Sequence, residues 1–490
     1  MKRVSFLLLA AILVLTLSLP GSALAQSGTP TWNSTIYYYN PRASAGNMGV
    51  TFVNTGTGTT PGDLLDVPVP AHAFGEVSVG STGDYKGAAM LSADVPLAAV
   101  YKQYVDPTRG AYAPVLYSSF DATQIGANGK FYLPSVLHAS YYVSKIGIQN
   151  VEAEAVTLTL HFYDSNGFEK INPAPTHSIA SQGSWIFQIT DDDIPGIGSS
   201  FDGSLVIEAV KTNGGNPARV VAAVEDLQSQ GQRSYAYEGS GVTDKTFYLP
   251  YANCRFSTNQ QSTTFYVQNA GSSPATINVY YYTTAGAGIT YYTPAAKIAP
   301  GARMAVSACD PKVYTKMNGK NGTARITGDQ PLVVIGKATS SNGLSTAFTG
   351  QSAGDLHVEL PYVPYTKLSS GERSTISIMN VGLTAAKNVS IYYYYKKADN
   401  TFAYQKVVLA TSTAVLGKFG KFTATPKVSG AALDANGDYG NAQRFGGAAE
   451  VVSDQPVVVI VRVSQAVTGV PGVALLGEDY TGIPCGTACQ

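Results

Sequence analysis

A short phrase that ends in asparagine recurs four times along the chain, and this repetition constrains the fold more than any other feature. It reads TFVN, IGIQN, FYVQN and ISIMN, with its last residue at Asn54, Asn150, Asn269 and Asn380. A second phrase follows each copy. It contains a proline, followed by a run of mainly small and β-branched residues; the prolines are Pro96, Pro217, Pro331 and Pro456. A Leu-Pro phrase precedes every copy but the first, at Pro134, Pro250 and Pro361. Recurrence in one fixed order predicts tandem domains.

The phrases divide the chain into predicted segments. They are a signal peptide (1–25), a truncated Ig-like domain (26–128), three Ig-like sandwiches (129–244, 245–355 and 356–484) and a tail (485–490). Within each domain apolar residues alternate with polar ones, and Gly, Asn, Asp or Pro interrupts the pattern roughly every eight to twelve residues. This pattern predicts an all-β chain of antiparallel β-sandwiches.

Three of the predicted domains contain an aromatic strand shortly after the asparagine. Because strand side chains alternate between two faces, Phe162, Tyr281 and Tyr393 are expected to point into the core. The opposite face is expected to carry six outward rings: His161, Tyr163, Tyr280, Tyr282, Tyr392 and Tyr394. Outward tyrosines commonly do no more than pair across strands, but a row of them can also stack on a sugar chain. These six are the candidate binding residues.

The first domain matches the others only at its ends. It has 42 residues from Asn54 to Pro96 (96 − 54), whereas the third domain has 62 from Asn269 to Pro331 (331 − 269). Aligned in this way, it lacks the aromatic strand and the strand after it. Three arrangements would protect the exposed strand edges: a smaller sandwich, packing by the second domain, or a strand donated by another chain.

The start of the chain has the pattern of a secretory signal. Lys2 and Arg3 precede the apolar run FLLLAAILVLTLSLP, and ALAQ offers a cleavage site after Ala25. No later segment is long and apolar enough to cross a membrane. Without Lys2 and Arg3, 30 cationic side chains face 32 anionic ones, a net charge of −2 that argues against nucleic-acid binding. The predicted location is outside a bacterial cell, secreted or on the cell surface.

Ser352 is the strongest candidate for a catalytic residue. It lies in GQSAG, which fits a nucleophile elbow, with Asp355 and His357 close behind. An elbow needs a strand before the serine and a helix after it, and its partners come from later strands, whereas Ser352 lies in a Gly/Ser/Thr-rich linker. The five histidines form no zinc-binding helix pair. The chain is therefore predicted to be no enzyme and to hold no metal or cofactor.

Two acidic stretches suggest cation binding. Asp434, Asn436 and Asp438 alternate as in a calcium loop, but Phe445 stands where an EF-hand has its bidentate glutamate, which favours a solvated turn. Asp191–Asp193 brings three carboxylates together, and either a cation or solvent and spacing would relieve their repulsion.

The four cysteines are expected to form disulfides because export favours them, although four cysteines allow three connectivities. Cys254 follows the opening strand of the third domain and Cys309 lies beyond another strand of that domain, so these two are predicted to pair. Cys485 and Cys489 are predicted to close a small ring in the tail.

The stretch Val267–Ala302, with VQN, YYY and IAPGA in that order, resembles the tandem Ig-like repeats of exported bacterial proteins. These include adhesion-related CARDB-type domains and uncharacterised surface-repeat proteins. The resemblance covers three domains well and the first only at its ends. It implies an extracellular scaffold or adhesion role and supplies no catalytic residues.

Two functions are therefore expected. The first is a secreted, non-enzymatic structural or adhesive protein of the cell surface, with self-association as its means of assembly. The second is an extracellular module that binds a polysaccharide through the outward strand tyrosines.

Overall fold

The protein is almost entirely antiparallel β. The computed structural model describes residues 32–54, 62–78, 87–105, 114–120, 125–126, 128–139, 141–228, 233–365, 372–397, 401–426, 447–467 and 473–486. Within these ranges the strands form antiparallel sheets, and the described helix is one short turn, α1 (Tyr314–Met317). The prediction of an all-β sandwich fold is confirmed. No helix in the described ranges is long and apolar enough to span a membrane.

The strands fall into four groups, which we call units one to four. Unit one contains β1 (Trp32–Tyr39), β2 (Gly46–Asn54), β3 (Leu64–Val69), β4 (Phe74–Ser78), β5 (Gly87–Ala93), β6 (Ala98–Val105) and β7 (Val115–Ser118). Unit two contains β8 (Lys130–His138), β9 (Tyr142–Asn150), β10 (Val156–Asp164), β11 (Thr176–Ile179), β12 (Ser184–Gln188), β13 (Phe201–Lys211), β14 (Val220–Gln228) and β15 (Ser234–Glu238).

The other two units follow the order of strands in unit two. Unit three contains β16 (Asp244–Cys254), β17 (Ser262–Asn269), β18 (Ile277–Thr283), β19 (Gly288–Tyr292), β20 (Arg303–Ser307), β21 (Lys320–Thr339) and β22 (Ser345–Thr349). Unit four contains β23 (Asp355–Leu360), β24 (Glu372–Asn380), β25 (Val389–Lys396), β26 (Phe402–Ala410), β27 (Lys421–Ala424), β28 (Ala449–Ala466), β29 (Leu475–Thr481) and β30 (Ile483–Pro484).

The recurring asparagine is a buried structural residue. The Asn150 amide donates to the carbonyls of Glu154 and Ala180, both at 2.8 Å, and its oxygen accepts the N–H of Glu152. Asn269 and Asn380 make the equivalent bonds. Each donates to the carbonyl four residues on and to a second carbonyl, 29 residues on for Asn269 and 36 for Asn380, and each accepts the N–H two residues on. One side chain thus satisfies three backbone groups that would otherwise be buried unpaired, which explains why the phrase recurs.

In unit one the residue with this role is Asn40, and the alignment through Asn54 is wrong. Asn40 donates to Ser44 and Pro70 and accepts from Arg42 in the same pattern. Asn54 ends β2, which pairs with β3 and β5 as the aromatic strand β10 pairs with β11 and β13. The aromatic-strand position is therefore filled. Among the described strands β5 pairs with β2 alone, whereas its counterpart β13 also pairs with β8, so the strand edge left open in unit one is that of β5. The domain boundaries stay a prediction.

The inner face of each aromatic strand lies in the core. Phe162 and Tyr281 are fully buried and Tyr393 is 1% exposed, each within the apolar cluster of its own unit. The alternation of faces predicted for these three residues is confirmed.

At three junctions a cation of one unit contacts the residue that follows Leu-Pro in another unit. The pairs are Lys337 with Ser135, Arg462 with Tyr251, and Lys102 with Tyr362. The Lys337 ammonium lies 2.7 Å from the Ser135 hydroxyl, and the Lys102 ammonium lies 3.1 Å from the Tyr362 hydroxyl. The third pair joins unit one to unit four, so the last unit packs on the first as the second packs on the third.

Four strands, one from each unit, meet at a common centre. Glu238 accepts hydrogen bonds from the Ser118 N–H and from the Thr349 hydroxyl. Thr481 donates to the Thr349 carbonyl, and Ser118 donates to the Thr481 carbonyl. These four residues occupy matching positions in β7, β15, β22 and β29, and all are buried. The units therefore contact each other in a closed cycle.

Candidate functional site

Three of the six predicted outward rings lie at junctions between units. Tyr163 packs on Gly301 of unit three, Tyr282 on Phe419 of unit four (ring centroids 4.6 Å apart) and Tyr394 on His72 of unit one (5.3 Å). Each partner has positive φ in the turn before a strand. At Gly301 a Cβ would lie 2.4 Å from the Tyr163 ring, so this contact requires glycine.

Tyr394 is only 4% exposed, so the prediction that it is available on the outer face is wrong. Its ring lies 5.1 Å from that of Tyr39 of unit one, beside buried Phe74. Strand alternation correctly excludes Tyr394 from the core of its own sandwich. It does not reveal that another unit covers that face.

The other three predicted rings are only partly buried. His161 lies 2.7 Å from the Glu169 carboxylate, and the Lys406 ammonium lies 5.1 Å from the Tyr392 ring centre. Tyr280 lies beneath the guanidinium of Arg325. The structure places these rings on the outer face of their sheets, and their role in binding stays a prediction.

The outer face of unit three carries a continuous row that we call the Arg325 row: Tyr291, Tyr280, Arg325 and Tyr248. They are direct neighbours across β19, β18, β21 and β16. The Tyr280 and Tyr291 rings stack with centroids 6.0 Å apart. The guanidinium carbon of Arg325 lies 4.6 Å from the Tyr280 ring centre and 5.0 Å from that of Phe419 in unit four. Cation–π contact therefore fixes the charged group between two rings.

The row is open to solvent and positively charged. Tyr291 is 67% exposed, and the other three residues are partly buried. The Lys418 ammonium lies 5.0 Å from the Phe419 ring centre, so a second cation adjoins the row. Beside it, the Thr293 hydroxyl donates to the Asn278 side chain at 2.5 Å. Aromatic surface with a few polar groups is typical of a ligand site.

Matching rows in the neighbouring units differ. In unit two the row contains Val206 and Tyr132, which are buried against Val333 of unit three. In unit four Glu450 takes the place of Arg325, and Glu359 lies beside it. Burial raises the pKa of Glu359 well above its ordinary value, and the nearby Glu450 charge adds to that rise.

The residues of the possible catalytic elbow do not assemble into a triad. Ser352 lies in a bend. Strand β23 follows it, where a nucleophile elbow would have a helix. His357 lies 2.7 Å from Glu450, and the Asp355 carboxylate accepts the N–H groups of His357 and Gly486. These contacts tie β23 to its neighbours.

The Asp191–Asp193 stretch forms a capped turn. Asp191 accepts the N–H groups of Gly196 and Gly198, and Asp193 accepts that of Gln188. In the described part of the chain no cluster of three or more metal-ligating side chains occurs. The possible calcium loop, Asp434 to Phe445, lies outside the described residues.

The Cys254–Cys309 disulfide is present, which confirms that prediction. It joins β16 to the segment after β20, within unit three. The predicted Cys485–Cys489 pairing involves Cys489, which lies outside the described residues.

Comparison with protein-family models found no match to this chain, and comparison with curated proteins found no significant match either.

Sequence reasoning missed Arg325, Tyr248, Tyr291 and Phe419. Three of them could have been found by extending strand alternation from the aromatic strand to its neighbours, because Arg325, Tyr248 and Tyr291 share its outer face. Phe419 belongs to unit four, and no local pattern predicts its contact with unit three.

Proposed function

We propose that this chain is an exported, non-enzymatic protein of the bacterial cell surface or extracellular space, in which four tandem Ig-like domains form a scaffold for structure or adhesion. The closed cycle of contacts between the units carries the proposal. Domains joined only by linkers move relative to each other, whereas buried contacts such as Lys337 with Asp226 restrict that motion. The outer faces then keep fixed relative positions.

Two observations support a location outside the cytoplasm. The N-terminal pattern is that of a secretory signal. The Cys254–Cys309 disulfide suits an oxidising compartment. Intact-mass analysis of the protein recovered outside the cytoplasm tests this part, with a chain starting at Gln26 and an intact disulfide as the expected result. A retained N-terminus or free thiols at Cys254 and Cys309 would contradict it.

The scaffold function is tested with purified mature protein. Light scattering and negative-stain imaging are expected to show self-association as concentration rises, or sedimentation assays to show retention on isolated cell-surface material. Lys102→Met, which removes the cation at the junction of units one and four, is expected to weaken either effect. Lys130→Met removes an exposed ion pair to Glu208 and is the matched control. A protein that stays monomeric and unretained at every concentration would refute the proposal.

A second candidate function is polysaccharide binding, and the Arg325 row favours it. Exposed Tyr291 beside Tyr280 offers a flat aromatic surface, with Asn278 and Thr293 as polar neighbours. Tyr291→Ala is expected to weaken retention on polysaccharide without changing the melting temperature. Equal retention of this variant and wild type would argue against the row as the site.

A further inference from the structure

Arg325 is a partly buried cation whose hydrogen-bonding capacity is not used by the described residues. Its Nε is shielded from solvent and has no hydrogen-bond partner there, and no described carboxylate forms an ion pair with it. By contrast, Arg303 pairs with Asp202 and Arg462 pairs with Asp479. Arg325 is only partly buried, so an anion that reaches the open row is expected to be attracted to its unpaired charge.

The surroundings of Arg325 limit what that anion can be. The row crosses four strands, a length of about 14 Å at the usual strand spacing. It has Tyr280 and Tyr291 on one side of the guanidinium and Tyr248 on the other. A ligand that meets the whole row therefore presents flat, partly apolar faces as well as a negative charge.

We infer that the Arg325 row binds an acidic polysaccharide, a sugar chain that carries carboxylate groups, and this inference rests on the second candidate function above. A carboxylate matches the planar fork of a guanidinium with two parallel hydrogen bonds. The tyrosine rings supply flat faces for the sugar rings on either side. The Lys418 ammonium, 5.0 Å from the same Phe419 ring centre, supplies a second cation beside the row for another carboxylate of the same sugar chain.

Other anions fit less well. Nucleic acid requires many phosphate contacts, whereas the row and its border supply two cations, Arg325 and Lys418, in a chain with equal numbers of basic and acidic residues. A small inorganic anion would leave the tyrosines unused. The site belongs to the junction of units three and four, because Phe419 holds the guanidinium from the unit-four side.

The matching rows in units two and four provide internal comparisons. Val206 stands in the Arg325 position of unit two and Glu450 in that of unit four. Neither can bind a carboxylate as a guanidinium does. The inference therefore assigns the acidic-polysaccharide site to unit three and not to units two or four.

The experiment measures binding of the full mature protein to polygalacturonate and to its fully methyl-esterified form, which has the same backbone without charge. We expect binding of the acidic polymer to be about tenfold tighter, the size of one charged hydrogen-bonding contact, and to weaken with added salt. Arg325→Gln is expected to abolish that difference. Tyr291→Ala is expected to weaken binding of both polymers, and Tyr404→Ala, at a 55% exposed ring in unit four, to change neither.

The outcomes separate the inference from the functions on which it rests. Equal binding of the two polymers by wild type would overturn the acidic preference and leave polysaccharide binding standing. Unchanged selectivity in Arg325→Gln, binding of neither polymer, or equally tight binding of double-stranded DNA would overturn the inference. If Arg325→Gln melts at a lower temperature than wild type, Arg325→Lys is the variant to use, because lysine keeps the positive charge but lacks the planar guanidinium. Undiminished affinity of Arg325→Lys for the acidic polymer would also contradict the inference. Self-association tests the scaffold function independently.

Discussion

Units three and four place opposite charges at the same point of the same strand. Tyr280 has Arg325 as its outer neighbour, and Tyr392 has Glu450. On the inner face of the same strands, by contrast, Tyr281 and Tyr393 are both buried tyrosines opposite an alanine. Packing keeps the inner positions alike because a change of volume there creates a cavity or a clash. The outer positions are free to acquire different chemistry, and differences in ligand are expected there.

Replacing an inner tyrosine is expected to have the largest effect on stability and tests this contrast most directly. Tyr281→Ser and Tyr393→Ser are each expected to lower the free energy of unfolding by about 3 kcal/mol or more, because each empties core volume. Tyr280→Ser and Tyr392→Ser are matched controls on the outer face, and each is expected to change the free energy of unfolding by less than about 1 kcal/mol. Denaturant unfolding of all four variants measures the difference. Equal losses in both sets would show that the faces are misassigned.

The Cys254–Cys309 disulfide lies within unit three. Replacing Cys254 and Cys309 with serine should destabilise unit three by about 2–4 kcal/mol, since the bond closes a loop whose ends are 55 residues apart. Hydrogen exchange should show faster opening of unit three, with unit four less affected. Equal acceleration in the two units would mean that they unfold together.

Lys421 should make the stability of unit four depend on pH. Burial lowers the pKa of Lys421 to about 7, and the nearby Arg462 charge adds to that effect. Between this value and the higher pKa of the unfolded chain, unfolding takes up a proton. The stability of wild type relative to Lys421→Met should therefore rise with pH from about 7 to about 10, by at most about 1.4 kcal/mol per pH unit. Melting curves across that range measure the slope. Parallel curves for the two proteins would contradict the shift.

Glu478, at the centre of the cycle, should show the opposite slope. Burial raises the pKa of Glu478 well above its ordinary value, although the hydrogen bond from Ser234 lowers it in part. A raised carboxyl pKa contributes stability that is present in full below the pKa of the unfolded chain and is lost as pH rises through the folded value. Relative to Glu478→Gln, wild type should lose stability as pH rises above about 4.5. A stability difference between the two proteins that does not change with pH would refute this.

The local features of the fold could be predicted from the sequence because each depends on neighbouring residues. The alternation of apolar and polar residues around Tyr281 predicts that it lies on the inner face of its strand. The positions of Cys254 and Cys309 within one predicted domain suggest that they pair. The alignment of unit one was wrong because TFVN at Asn54 resembles the recurring phrase, although the residue that makes the equivalent set of hydrogen bonds is Asn40. The distinguishing property is a set of hydrogen bonds to backbone groups up to 30 residues away.

The candidate site depends on contacts between paired strands and between units, which no local sequence pattern predicts. Tyr280 was predicted because it lies in an aromatic strand, whereas Arg325 acquires its role only once β18 and β21 are known to pair. Phe419 and Tyr394 meet other units, so their burial reflects how units pack on each other. Sequence thus predicted the positions of the rings within each sheet but not which of them another unit covers.

The contact between units one and four has a consequence for the order of folding. Lys102 and Glu372 are 270 residues apart in sequence, and Ser118 and Thr481 are 363 apart. Contacts between such distant residues form late, because a long loop must close before they are made. A chain synthesised from its N-terminus therefore completes unit one well before its partner surface exists. Until unit four arrives, the apolar surface around Tyr39 and Phe74 is open to other molecules, which makes this interval the step most prone to aggregation.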